Sequence, residues 1–182
     1  LTRAPVAKIL GVGLARNQGV RRGVVRDIEE TTRSVVQALR DAQRMAGVKV
    51  ADVTCGIAGE HVSARSSSGV VAVTGDEIAE TDVRRVTEVA RAVSLGRDHE
   101  LLHDIPQEYM VDQQKGIADP IGMTGMRLEV EMVLITVQST AAQNLRKAVQ
   151  RAGYRVADLV LEPLAASLAV LTEDERELGV AL

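Results

Sequence analysis

The chain has 182 residues, 46% hydrophobic and 26% charged, a globular balance that excludes a disordered tail, a collagenous chain and a coiled-coil rod. The net charge of −3 offers no basic stripe for nucleic acid, and an aromatic content of 1%, only Tyr109 and Tyr154, offers no stacking platform. Cys55 is the single cysteine, so no intrachain disulfide can form. No apolar run approaches the roughly 18–20 residues of a spanning helix. The chain opens on Leu1 without a leader pattern and closes on the apolar run Leu178–Leu182. These ends read as those of a piece cut from a longer protein.

In chain order, Val6–Leu14 reads as a strand and Gly19–Gly23 as a turn. Asp27 with Glu30 forms a capping-box-like start, and Ile28, Val35, Leu39 and Ala42 follow at helical spacing up to Gly47. Val53–Ala58 is a short buried strand, so the opening is strand, helix, strand. The middle differs. Val62–Arg65 and Val70–Val73 flank Ser66-Ser67-Ser68-Gly69, a hairpin signal. Thr81 can cap a helix to about Ser94 with Val83, Val86, Ala90 and Val93 inward. Leu101–Ile105 and Tyr109–Val111 look extended, Gly116–Gly125 reads as a loop, and Arg127–Val137 alternates as a half-buried strand. Ser139 or Thr140 then caps a helix with Leu145, Ala148, Val149 and Ala152 inward, ended by Gly153. Val156–Leu161 is a strand, Pro163 opens an alanine-rich helix, and Thr172-Glu173-Asp174-Glu175 leads into a final strand. An α/β frame is thus interrupted from about Gly59 to Met132.

Few side chains suggest chemistry. His99 and His103 sit four apart in an extended, polar segment and read as solvated rather than metal-binding. Cys55 reads as a small buried hydrophobe, and Ser66–Ser68 lack a nucleophile elbow. Gly11-Val12-Gly13 and Gly122-Met123-Thr124-Gly125 lack the lysine and the following helix of a phosphate loop. Arg84, Arg85, Glu88 and Arg91 form a charged outer helix face, continued by Arg97, Asp98, His99 and Glu100. That surface is either a solvated face or a partner-binding one. Glu162 sits between a strand end and a helix start, where α/β folds bind ligands. It could orient a metal-bound or attacking water, or merely favour the helix dipole.

Ile105-Pro106-Gln107-Glu108-Tyr109, Val111-Asp112, Gly116-Ile117, Asp119-Pro120, Gly122-Met123 and Gly125-Met126-Arg127-Leu128 together resemble the FtsA family of actin-like bacterial cell division proteins. Thr172-Glu173-Asp174-Glu175-Arg176-Glu177-Leu178-Gly179-Val180 resembles it too. The resemblance implies a ribonuclease-H-like part of an actin-like ATPase fold, subdomain 1A at 1–58 and 133–182. It places an inserted strand-helix-strand-strand subdomain, 1C, at 59–132. It implies a division adaptor that links FtsZ to the membrane, self-assembles, and recruits division proteins through the insert. The expected location is the cytoplasmic face of the membrane at the division site. The resemblance also implies ATP and Mg in the full-length protein. Glu162-Pro163 with Ala165-Ala166 resembles the strand-to-helix segment of DnaK-type chaperones of the same superfamily, which implies a place for Glu162 beside the catalytic water and metal. Both phosphate loops, the FtsZ-binding region and the membrane anchor are expected outside this chain, so no cofactor is expected for it alone. The alternative is the ATPase lobe of another superfamily member, a DnaK-type chaperone or a pilus-assembly protein. The insert block separates the first reading from a chaperone, and the Thr172–Gly179 block separates it from a pilus protein.

Overall fold

In the computed structural model, residues 8–93 and 95–181 are described. The chain forms two compact units, Leu1–Glu60 with Thr140–Leu182, and His61–Ser139.

In the first unit, Lys8–Leu14 runs beside a helix without joining a sheet, which corrects the strand expected over Val6–Leu14; Val6 lies outside the described residues. A Cβ on Gly13 would fall 1.7 Å from the Ala38 carbonyl oxygen, and one on Gly11 2.3 Å from that of Ala42. The two glycines therefore let backbone lie directly on the helix. Val20–Arg21 (β1) and Val24–Val25 (β2) form a small antiparallel hairpin. Its turn, Arg22-Gly23, has φ of 51° and 77°, the left-handed pair that matches strand twist. The expected simple turn at Gly19–Gly23 is thus the tip and base of a hairpin.

Helix α1 (Ile28–Ala46) is capped as its sequence demands. Asp27 Oδ1 accepts from the Glu30 amide at 2.9 Å, and Gly47 closes the helix at φ 69°. Strand β3 (Asp52–Ile57) pairs in parallel with β8 (Arg155–Leu161), Ile57 opposite Leu161. Helix α3 (Ser139–Arg151) buries Ala142, Ala148 and Val149. It meets α1 where the Thr32 hydroxyl donates to the Ala148 carbonyl at 3.1 Å. Helix α4 (Glu162–Val170) starts with proline in its first turn. The segment expected only to lead into a final strand forms helix α5 (Glu173–Leu178), closed into a capping box by Thr172 and Glu175. Gly179–Ala181 forms no strand, and Leu182 lies outside the described residues.

The second unit is an antiparallel sheet of order β4-β7-β5-β6 with one helix on it. Its elements are β4 (Val62–Ala72), α2 (Glu80–Arg91), β5 (His99–Val111), β6 (Gln114–Ile117) and β7 (Arg127–Gln138). The hairpin expected at Ser66–Gly69 is one uninterrupted strand, paired to β7 from Val62↔Val137 to Ala72↔Arg127. Its small residues serve the helix. A Cβ on Gly69 would sit 2.3 Å from the Val86 carbonyl oxygen, and the Ser67 hydroxyl donates to the Ala90 carbonyl at 2.7 Å. The two extended pieces expected around Pro106 are one strand, β5, with irregular pairing between Pro106 and Glu108. A proline cannot donate to the ladder, so an irregularity belongs there. The core joins Ile78, Val86 and Ala90 to Leu128, Val130, Met132 and Leu134 of β7. Among the described residues, no helix is long and apolar enough to cross a membrane.

Candidate functional site

Glu162 stands where the parallel pair β3–β8 ends and α4 begins. Its position follows from β8 reaching Leu161 and Pro163 starting a helix immediately after. Gly56 of β3 faces it. A Cβ at Gly56 would lie 2.7 Å from Glu162 Cγ and 3.0 Å from its Oε1. The missing side chain is thus the room that the Glu162 stem and carboxylate occupy. Glu162 is exposed and makes no hydrogen bond or ion pair among the described residues. It fits a carboxylate that accepts from a water, alone or metal-bound. Among the described residues no group of three or more His, Cys, Asp or Glu is placed to hold a metal. His99 Nδ1 instead lies 3.0 Å from Asp98 Oδ1, and that contact lowers the Asp98 carboxyl. Cys55 is half-buried, and burial pushes its thiol up, away from nucleophilic character.

The charged surface of α2 is less uniform than its periodicity suggests. Val86 and Ala90 are buried, with Val83 and Val93 packed beside them. On the outer side Arg84 and Glu88 are exposed, as are Arg97 and Asp98 beyond the helix. Arg85 is not free. It pairs with Asp82, whose side chain is 2% exposed, and donates to the Ala72 carbonyl at 2.8 Å. Asp82 in turn accepts from the Ala79 amide at 3.0 Å and from the Thr74 hydroxyl at 3.3 Å. These bonds, the Ala79 amide first and then Arg85, hold its carboxyl below the usual range. Arg91 is not free either: it pairs with Asp104 of β5. Arg85 and Arg91 therefore fasten the helix to its sheet, which corrects the expectation that all four outer charges are available. His99 and Glu100 begin β5 and are half-buried.

Two structural residues carried no sequence signal strong enough to single them out. Asp82 reads as one more helix acid until its burial is seen. His61 is 4% exposed with neither ring nitrogen hydrogen-bonded. Burial lowers its pKa, favouring the neutral ring.

Comparison with known proteins fits this geometry. Residues 59–136 match the family model described as the SHS2 domain inserted in FtsA. The chain is 41% identical over 175 residues to the cell division protein FtsA of Pseudomonas aeruginosa, covering 96% of this chain and 42% of that one. It is 42% identical to FtsA of Bacillus subtilis, with 96% and 40% covered. It is 38% identical to FtsA of Escherichia coli K12, with 97% and 42% covered. The chain therefore spans about two fifths of the length of the curated relatives it matches. Among solved structures, the PilM-PilN type IV pilus biogenesis complex superposes with a TM-score of 0.52 at 15% identity. That match covers 86% of this chain and 45% of that one, and it shows the fold alone. The fold is α/β, an SHS2 insert within an actin-like frame, and the chain belongs to the FtsA family of cell division proteins.

Proposed function

We propose that this chain is the partner-presenting part of a division-site assembly protein. In this reading the insert offers the outer face of α2 and the loop after it to a second copy and to other division proteins. The observation that carries it is the exposed trio Arg84, Glu88 and Arg97 on the insert, none ion-paired among the described residues. Mixed exposed charges orient and steer a partner more than they tighten it, which suits reversible assembly. The full protein would link FtsZ to the inner face of the membrane at the division site through other parts of its chain. A chaperone or pilus lobe is not favoured, since the relatives of high identity are FtsA proteins and the insert matches the FtsA insert.

Charge reversal at Arg84 and Glu88 in the full-length protein should weaken self-association or partner binding, read by sedimentation. Stability should stay within about 0.5 kcal/mol, as at other surface sites. Unchanged assembly and partner binding would place the contact elsewhere. Arg85 is unsuitable as a probe, because Arg85→Glu strips the partner from a buried carboxylate and should destabilise the insert.

The same reading gives the full protein ATP with Mg, which supplies the phosphoanhydride and its charge clamp when bound. Glu162 would accept a hydrogen bond from a water at the strand ends, and Gly56 leaves room for its carboxylate there. Glu162→Gln in the full-length protein should slow ATP hydrolysis at least about tenfold with folding intact. Equal turnover would return Glu162 to a plain helix-start role.

A further inference from the structure

Strand β4 is one edge of the insert's sheet, with β7 on its inner side. Two bonds show which backbone groups face outward. The Val73 amide donates to the Met126 carbonyl at 2.9 Å, and the Gln138 amide to the His61 carbonyl at 2.9 Å. Pairing with β7 is unbroken between these points, so odd-numbered residues turn their backbone groups to β7 and even-numbered ones turn theirs outward. Val62, Ala64, Ser66, Ser68 and Val70 therefore present N–H and C=O groups to the free edge, with no partner there among the described residues. Ala72 ends the run, because its carbonyl accepts from Arg85 at 2.8 Å. Sheets normally shield such an edge with proline, lysine, a bulge or shortness. The opposite edge, β6, does so with 4 residues that include Lys115. Strand β4 has 11 residues, no proline, no lysine, no register break and a single charge, Arg65.

The edge has a different surface on each face of the sheet. Odd-numbered side chains lie under α2, as the bond from the Ser67 hydroxyl to the Ala90 carbonyl shows, and even-numbered ones lie on the open face. On the helix side Arg85 reaches the outward carbonyl of Ala72, and Val89, one turn further on, is 47% exposed. On the open face Ser66 and Ser68 leave a hollow of ≈ 260 Å³ beside Glu131, which stands opposite Ser68 on β7. Glu131 is exposed and forms no ion pair among the described residues. A strand laid along β4 would thus set alternate side chains against Val89 and toward Glu131. Two strand spacings, about 10 Å, separate Glu131 from the added residue beside Ser68, and a lysine or arginine spans them across so small a serine.

We propose that the free edge of β4 takes an extended segment of another protein as an added strand, with basic residues on the open face and β-branched residues beneath α2. Ladder hydrogen bonds supply the affinity, and the alternation supplies the specificity. The strand edge and the outer charges of α2 are separate surfaces: Arg84, Glu88 and Arg97 take no part. A second copy of this chain does not fit the edge. Gly69 seats α2 directly on β4. Antiparallel pairing of two β4 edges would put both helices on one side of the joined sheet about 5 Å apart, whereas packed helices stand about 8–10 Å apart. A bare peptide strand brings no helix.

The probe is a labelled peptide of about eight residues, lysine alternating with valine, long enough for the free stretch. It should bind the full-length protein and slow amide exchange at Val62, Ala64, Ser66, Ser68 and Val70, since the odd-numbered amides between them are already paired. The same peptide N-methylated at the amides that face β4 should bind at least about tenfold less well, because it keeps its charge and loses the ladder. Ser68→Pro removes one outward N–H without touching the β7 ladder and should weaken binding by a similar factor. Should that variant not fold, the N-methylated peptide makes the same test on the parent protein. Glu131→Lys should weaken binding at low salt, where charge is least screened. Reversal at Arg84 and Glu88 should leave peptide binding unchanged, so the two surfaces stand or fall separately. No binding by the parent, equal binding of the N-methylated peptide, or slowed exchange without the alternate pattern overturns the proposal. So does a folded Ser68→Pro variant that loses self-association and keeps peptide binding, which would give the edge to a second copy.

Discussion

His61 has the clearest consequence among single residues. A buried imidazole with no hydrogen-bond partner is held neutral, its pKa below the ordinary value of 6.5. The unfolded chain therefore binds a proton that the folded chain resists. Stability is fully present above the unfolded pKa and is lost as pH falls below it, toward the folded pKa. The carboxylates held low by the fold, Asp52, Asp82, Asp98 and Glu175, start from ordinary values of 3.8 or 4.5 and act in more acid solution. The urea midpoint should thus fall on going from neutral to mildly acid pH, and His61→Leu should flatten that fall. An equal slope in the variant would assign the effect to another group. Residues of this kind were hidden in the sequence. A histidine beside Gly59-Glu60 looks like surface until tertiary packing covers it. Glu162 was legible, because strand, carboxylate, proline and alanine-rich helix follow one another directly. Gly56 was not, since it meets Glu162 only through the parallel register of β3 on β8, with the whole insert between them.

At the scale of elements, legibility followed how local the cause was. Helix α1 was plain because its cap, its apolar spacing and its terminal glycine are all contiguous. Strand β7 was plain because Leu128, Val130 and Met132 alternate with Arg127, Glu129 and Glu131 before a fully apolar end. Strand β4 was misread because Ser66-Ser67-Ser68-Gly69 has turn composition, whereas its cause is a helix crossing from later in the chain. The same inversion holds at Gly11 and Gly13, where glycine admits a close helix rather than a phosphate. Helix α5 is spelled by the capping box of Thr172 and Glu175, while the apolar run after it has the composition of a strand. The candidate interface was half legible. Helical spacing separated the inward valines from the outward charges. It could not show that Asp82 turns under the helix start and takes Arg85 with it.

For the whole molecule, the decisive fact is that one unit is continuous in sequence and the other is not. The continuous unit, His61–Ser139, contains every residue of its core, from Ile78 to Leu134. Its two ends meet: the Gln138 amide donates to the His61 carbonyl at 2.9 Å, and Val62 pairs with Val137. Cutting the chain there severs neighbouring strand ends and removes no member of the sheet or of its covering helix. Each large aliphatic side chain in that core contributes about 1.5–3 kcal/mol by leaving water, against the entropy of ordering a short chain. Domains of this size stand near the lower limit for a single core without metal or disulfide, yet many do fold alone. The excised segment 61–139 should therefore fold by itself, with a cooperative urea transition and a dispersed amide spectrum. Leu134, fully buried at the centre of β7, sets the scale of the test. Leu134→Ala should remove about 2–5 kcal/mol, enough to shift the midpoint far or to unfold the segment outright. A parent segment without a cooperative transition would show that the insert depends on the actin-like frame for its stability, despite holding a complete core of its own.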